Sequence, residues 1–296
     1  MNSVTKCVIA AAGRGTRFLP VVKSYPKELV PILSKPNIQY LIEEAIGAGI
    51  TQIAIVHRLG ENSIEKYFTP DADLEKYLTE NNKLEYLDSL KTIWSKAKLT
   101  FIPQPTNLPY GTGSPVLAAK EFIDQNDFAY FYGDDLILEP TPGQLLTKMM
   151  AKFDQYSASA VMAVQEVSRD EIYRYGSVRY ATNSQYPDQM VEICEKLSVD
   201  LAPSTSVNIG RFVSKNEILK YIDINQLSRD GELWFTDALT KLALENIVLT
   251  QKTQDETWTT TGDPLRWLES NIAMALKDPN YNSEISRFLQ NLRSTI

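Results

Sequence analysis

The sequence predicts an α/β protein built on a mixed, mostly parallel sheet flanked by helices. Three observations predict it. Residues 6–12, KCVIAAA, make a short continuous apolar run ended by Gly13, the pattern of a strand buried on both faces. Residues 36–49, PNIQYLIEEAIGAG, carry Ile38, Leu41, Ile42, Ala45 and Ile46 at helical spacing, opened by a proline and closed by Gly49. TQIAIVH (51–57) is the next strand. Strand, glycine turn, helix, strand is a βαβ beginning, whose strands run parallel.

The remaining elements follow in order. Residues 60–98 are charged, with Leu, Tyr and Ile at helical spacing, and read as a helical insertion over one edge of the sheet. LTFIPQ (99–104) returns to strand, GSPVLAAKEFI (113–123) is a helix, and FAYFYG (128–133) is a central strand running into Asp134 and Asp135. LLTKMMAKFDQY is a helix and SASAVMAVQEV (157–167) a strand. After Asp170 the texture changes: GSVRYA, QMVEICEK and TSVNIGRFVS are short β segments joined by polar turns, a more antiparallel half. WFTDALTKLALEN (234–246) is a helix, IVLTQKTQDETWTTTG a hairpin-like pair, and PLRWLESNIAMALKD (264–278) an amphipathic helix. No internal repeat or low-complexity tail interrupts this.

Composition narrows the function classes. The chain has 296 residues, enough for one large α/β domain with a sizeable core. Its formal net charge of −7 argues against a nucleic-acid partner, because phosphate backbones recruit basic surfaces. A small phosphorylated ligand needs only a few local cations. Cys7 and Cys194 lie far apart in apolar runs, which argues against a disulfide framework or zinc site and fits a reducing compartment. The apolar run before Gly13 is too short for a signal-peptide core or a membrane span. The expectation is a cytoplasmic protein with no membrane partner.

The stretch AAAGRGTRFLPVVKSYPKELVPI (10–32) carries the chemistry. It lacks the Gly-x4-Gly-Lys-Ser/Thr of a P-loop, and Phe18 occupies the third glycine position of a dinucleotide fingerprint. Gly13 and Gly15 let backbone N–H groups approach phosphate oxygens. Arg17 offers a planar fork for two oxygens of a leaving pyrophosphate. Lys27, after the stiff Pro26, offers a point charge for a phosphorus under attack. A plain strand–helix turn with surface cations is the bland alternative.

With Lys23 and Pro26-Lys27-Glu28, the stretch resembles the signature of the sugar-phosphate nucleotidyltransferases, most closely the bacterial UTP–glucose-1-phosphate uridylyltransferases. NIQYLIEEAIGAGI, FYGDDLI, VSRDEIYRYGSV, ICEK, GELWFTDAL and GDPLRWLESNIAMALKDP resemble that family's later segments in the same order. The resemblance implies a Rossmann-like mixed, mostly parallel sheet flanked by helices, the nucleotide-diphospho-sugar transferase fold. It implies one domain over 1–296: a nucleotide-binding half (1–168) holding the 60–98 insertion, a smaller β-rich sugar-binding half (169–262), and C-terminal helices (263–296). The reaction implied is UTP plus glucose 1-phosphate giving UDP-glucose and pyrophosphate, by Mg²⁺-dependent in-line attack on the α-phosphorus. Ala11, Ala12, Gly13, Gly15 and Thr16 fall on nucleotide contacts, and Arg17 and Lys27 on the catalytic cations. Gln104 falls on the uracil reader, with Gly111 and Gly113 on the base loop. Asp134 falls on the Mg²⁺ ligand, with Asp135 beside it. Gly176 and Glu195 fall on sugar contacts, and Lys196 on the lysine holding the sugar phosphate. A homo-oligomer, dimer or tetramer, is implied through the C-terminal helices.

The chain departs from the family pattern in places. Thr260 in TWTTTGD stands at an aspartate near the metal, and Asp263 compensates only if the backbone turns it inward. Leu197 stands for a proline, the loop QPTNLPYG is longer than usual, and Ser114 replaces a histidine. Thr205 and Asn208 lie in the sugar-facing segment. Two alternatives therefore stand: another sugar 1-phosphate or nucleoside triphosphate, or a catalytically weak nucleotide-sugar-binding regulatory paralogue. His57, the lone histidine, reads as packed or solvated, and Trp234, Phe235 and Trp258 as core.

Overall fold

The computed structural model describes residues 4–91 and 96–294; residues 92–95 of the expected insertion lie outside the described residues. The first strand, β1 (Lys6–Ala11), leads through three single 3₁₀ turns and the small ribbon β2 (Pro31–Ile32) and β3 (Lys35–Pro36) into α1 (Asn37–Gly47). The Pro36 cap and the apolar stripe of Ile38, Leu41, Ile42 and Ala45 are as the spacing predicts, and Gly49 ends the turn at φ 92°. β4 (Gln52–Arg58) follows, then α2 (Ser63–Tyr67), α3 (Ala72–Glu80) and α4 (Leu84–Lys91), which make the helical insertion, and β5 (Lys98–Gln104). The segment expected as one helix over 113–123 is two, α5 (Ser114–Ala118) and α6 (Lys120–Ile123), because Ala119 leaves helical geometry at ψ 9°.

The chain then makes β6 (Phe128–Tyr132), β7 (Asp135–Leu138), α7 (Gln144–Gln155) and β8 (Ala160–Glu166). The second half supplies β9 (Gly176–Tyr180), β10 (Met190–Glu195), β11 (Ser206–Ser214), α8 (Phe235–Glu245), β12 (Val248–Lys252), β13 (Thr257–Thr260), α9 (Pro264–Lys277) and α10 (Asn282–Arg293). The main sheet runs β10-β9-β11-β6-β1-β4-β5, with β8 joining β11 and β12 joining β8. β6, β1, β4 and β5 are mutually parallel, so their carboxyl ends open on one side. β11 is antiparallel to β6, β8 and β9, which gives the second half its expected texture.

One expectation fails. Residues 247–262 are not a hairpin: β12 runs parallel to β8, while β13 pairs antiparallel with β7, setting Thr260 opposite Asp135. Val248 and Leu249 are fully buried in the main sheet, whereas β13 is only partly covered. Each strand found a better-matched neighbour than its sequence partner.

Alternate residues of β1 feed two cores. Cys7, Ile9 and Ala11 face the layer of α1 and α7, while Val8 faces the layer of α5 and α8 with Tyr130, Phe212 and Phe235. A buried ion pair crosses the first layer. Arg211 of β11 meets Glu44 of α1 through Nε and Nη2 at 2.8 and 2.9 Å, and Nη2 also donates to the Asp135 carbonyl at 2.7 Å. Removing one partner of such a pair typically costs about 3–5 kcal/mol, so it fixes the β6–β7 turn against α1 firmly. Gly210, at φ 70°, sits in the β11 bulge beside that turn, where a Cβ would come within 2.4 Å of Asp135 Oδ2.

Candidate active site

Two adjoining cavities open at the carboxyl ends of the parallel strands, where open α/β sheets hold ligands. The first, about 180 Å³, is lined by Ala12, Gly13, Lys27, Glu28, Gln104, Tyr110 and Gly111. The second, about 250 Å³, is lined by Arg17, Asp135, Tyr175, Gly176, Glu195, Lys196, Trp258 and Thr260. Thr112, Tyr132, Asp134 and Glu232 border both.

Asp134 stands on this border, and Lys27 of the first cavity reaches it, with Lys27 Nζ 2.6 Å from Asp134 Oδ2. Pro26 enters in extended geometry and Lys27 opens a single 3₁₀ turn. Gly15 makes room for the lysine: it is left-handed at φ 60°, and a Cβ there would stand 3.1 Å from Lys27 Cβ. A Cβ on Gly13 would stand 3.6 Å from Lys27 Cε. Burial works against the lysine's charge, yet Asp134, Glu28 and Asp135 outweigh it and hold Lys27 above its ordinary value. Burial likewise opposes ionised Asp134, but Lys27 overcomes it and holds that carboxyl below its ordinary value. Asp135 is pushed up to about 7 by burial and by the Asp134 charge, although Trp258 Nε1 donates to its Oδ1 at 2.8 Å.

The residues of the second cavity converge from several elements. Glu195 ends β10 and accepts from Thr236 Oγ1 at 3.0 Å, and burial raises its carboxyl above the ordinary value. Lys196 reaches over the Trp234 ring at 5.6 Å. A Cβ on Gly176 would come within 2.6 Å of Glu195 Oε1, so a larger residue there would displace the Glu195 carboxylate. Arg17 approaches from the opposite wall, its Nη1 3.5 Å from the Gly262 carbonyl.

Of the expected contacts, Arg17, Lys27, Ala12, Gly13, Gln104, Gly111, Asp134, Gly176, Glu195 and Lys196 line the cavities. Ala11 is buried in β1, and Gly15 and Thr16 lie beside the cavities without lining them. Gly113 is buried on Leu233, its N–H donating to the Leu233 carbonyl at 2.7 Å. Ser114 Oγ donates to the Pro109 carbonyl and closes the loop after β5. Thr205 bonds Glu166, while Asn208 lines the second cavity. Asp263 caps α9 by accepting from Arg266 N at 3.0 Å and does not turn inward. His57 is packed as expected, 7% exposed. Trp234 and Trp258, expected as core, line the second cavity instead.

Among the described residues no group of three or more His, Cys, Asp or Glu is arranged to hold a metal by itself. The oxygens of Asp134 and Asp135, with Thr260 Oγ1 donating to the Asp134 carbonyl at 3.2 Å, still suit a hard divalent cation that takes its other ligands from phosphates.

Sequence reasoning missed Glu28. It is 1% exposed, both carboxylate oxygens lack a hydrogen-bond partner, and it lines the first cavity. Gln104 Oε1 is similarly unpartnered. Buried polar groups of this kind are completed by water or by a ligand in the cavity. The available signal was a charged residue between Lys27 and an apolar run.

The pattern of the nucleotidyl transferase family matches residues 6–275. The chain belongs to that family. It is 35% identical over 292 residues to UTP–glucose-1-phosphate uridylyltransferase of Bacillus subtilis strain 168, covering 99% of this chain and 98% of that one. It is 33% identical to UTP–glucose-1-phosphate uridylyltransferase 1 of Staphylococcus saprophyticus, covering 98% and 99%. A UTP-bound UGPase structure from Acinetobacter baumannii superimposes with a TM-score of 0.87 at 30% identity, covering 98% of this chain and 99% of that one. A UDP-glucose pyrophosphorylase complexed with UDP-glucose superimposes with a TM-score of 0.80 at 28% identity, covering 93% and 100%.

Burial, partly offset by Lys27, pushes the Glu28 carboxyl up to about 8. In the unfolded chain it titrates near roughly 4.3. Folding therefore takes up a proton between these values, and the stability tied to that proton is lost as pH rises through the folded value. Glu28→Gln should raise the melting temperature by about 2–6 °C at pH 8.5 and by little at pH 5, read by thermal denaturation. A gain independent of pH would contradict this account of Glu28.

Proposed function

We propose that this chain transfers a uridylyl group from UTP to glucose 1-phosphate, giving UDP-glucose and pyrophosphate with Mg²⁺ bound at Asp134. The observation that carries the reading is the Lys27–Asp134 pair, 2.6 Å apart, with Asp134 on the border of the two cavities and Lys27 in the first. Each substrate has its own cavity, and the phosphates meet at the border.

No protein nucleophile is needed. A phosphate oxygen of glucose 1-phosphate attacks the α-phosphorus of UTP; a new P–O bond forms, the bond to the bridging oxygen of the β-phosphorus breaks, and pyrophosphate leaves. Catalysis is then positioning and charge neutralisation. In the first cavity, Gln104 and Glu28 meet the nucleotide, and Gly13 lets the backbone approach its phosphates. Lys27 neutralises charge on the reacting phosphates, and Arg17 holds the departing pyrophosphate. In the second cavity, Lys196 holds the sugar phosphate while Glu195 accepts from sugar hydroxyls. Mg²⁺, when bound, supplies positive charge to the phosphate oxygens. The nucleotide-binding half, 1–168, and the sugar-binding half, 169–262, thus divide the substrates between them.

The reading extends to assembly and place. Leu268, Leu276 and Phe288 on α9 and α10 are 50%, 41% and 57% exposed, which supports a homo-oligomer, dimer or tetramer, built on these helices. Sedimentation as a monomer at micromolar concentration would contradict it. Free Cys7 and Cys194 support a cytoplasmic setting. No helix among the described residues is long and apolar enough to cross a membrane.

Incubation with Mg²⁺, each nucleoside triphosphate and a panel of sugar 1-phosphates should release pyrophosphate fastest from UTP with glucose 1-phosphate. Lys27→Ala should lower kcat by about 100- to 1,000-fold. Release from no pair would overturn the enzyme reading, and a preference for another triphosphate would overturn the uridylyl assignment.

A further inference from the structure

Glu195 and Lys196 both line the second cavity although they are consecutive. Along an extended strand, neighbouring side chains point to opposite faces. The chain escapes this at Lys196, which is left-handed at φ 48°, a conformation that a lysine adopts only at a cost. That turn sends both side chains into one cavity, so whatever holds the turn holds the pair.

Three contacts hold it. Lys196 N–H donates to the Tyr175 carbonyl at 2.9 Å, and Lys196 Nζ lies over the Trp234 ring. The third is Arg229. Its Nη2 donates to the Glu195 carbonyl at 2.7 Å and lies 3.3 Å from the Lys196 carbonyl. One guanidinium thus clamps the peptides on both sides of the Lys196 Cα. Arg229 itself lines neither cavity.

The segment that carries Arg229 is fixed in turn. Ser228 N–H donates to the Glu232 carbonyl at 2.8 Å, and Ser228 Oγ donates to Asp237 at the start of α8. Leu233 N–H donates to the Tyr110 carbonyl at 2.8 Å. The clamp is therefore braced against α8 and against the loop of the first cavity.

We propose that Arg229 is a positioning residue for the sugar-phosphate site: by binding the carbonyls of Glu195 and Lys196 it maintains the left-handed turn that aims both side chains at one sugar 1-phosphate. This rests on the reading of Glu195 and Lys196 as sugar-phosphate contacts. Because Arg229 is exposed, its replacement leaves the core intact.

The test compares Arg229→Ala, Arg229→Lys and Lys196→Ala with the unmodified enzyme, with each substrate varied in turn. Arg229→Ala should raise the KM for glucose 1-phosphate about fivefold and lower kcat, while the KM for UTP moves by less than about twofold. The defect should persist at about 0.5 M salt, where a long-range charge effect is screened, and Arg229→Lys should recover part of it. An unchanged KM for glucose 1-phosphate, an equal rise for both substrates, or a defect that vanishes at high salt would overturn the proposal. Lys196→Ala separates the two levels. If it leaves the KM for glucose 1-phosphate unchanged, the site reading fails and the proposal falls with it. If it weakens glucose 1-phosphate while Arg229→Ala does not, the proposal alone fails.

Discussion

The contact between Lys27 and Asp134 is the constraint on which the site depends. It joins the glycine-rich stretch after β1 to the turn after β6, two neighbouring parallel strands whose ends would otherwise be separate loops. Each partner opposes the burial penalty of the other, so neither charge is stable there alone. The surrounding structure serves this contact. Gly15 admits the lysine stem, and the Arg211–Glu44 pair anchors the turn that carries Asp134. Asp134 lines both cavities and Lys27 the first, so this contact lies where the proposed substrates meet.

Around that contact the protein concentrates acid rather than base. Glu28, Asp134 and Asp135 all lie near one lysine, and burial holds Glu28 and Asp135 well above the ordinary carboxyl range. Such a cluster is a poor site for a phosphate alone and a good one for a phosphate arriving with a divalent cation. Thr260, set opposite Asp135 in the β13–β7 ladder, adds an oxygen without a further negative charge. In a turn already crowded with carboxylates, a neutral residue at that position lowers the repulsion that a bound cation has to offset.

Much of this was legible in the sequence where the signal is local. The βαβ beginning rests on periodicities that need no distant partner, and α1 ends where Pro36 and Gly49 say it should. The stretch at 10–32 is legible because its glycines, Arg17 and Lys27 are crowded into one segment. What failed was long-range. β12 and β13 look like a hairpin because they are adjacent and short, yet each pairs with a strand far away in the chain. Trp258 looked like core because nothing local reveals that its indole reaches Asp135. Glu28 and Arg229 were invisible for the same reason: one matters because its oxygens lack partners, the other because of two carbonyls more than thirty residues earlier.

The central claim is that Lys27 and Asp134 act as one unit in the reaction. A double-mutant cycle on pyrophosphate release tests it most directly, using Lys27→Met, Asp134→Asn and the two together. If the residues act as a unit, each single change removes most of the activity and the double variant loses no more than the worse single one. Losses that multiply in the double variant would contradict the account and make the 2.6 Å contact incidental to the chemistry.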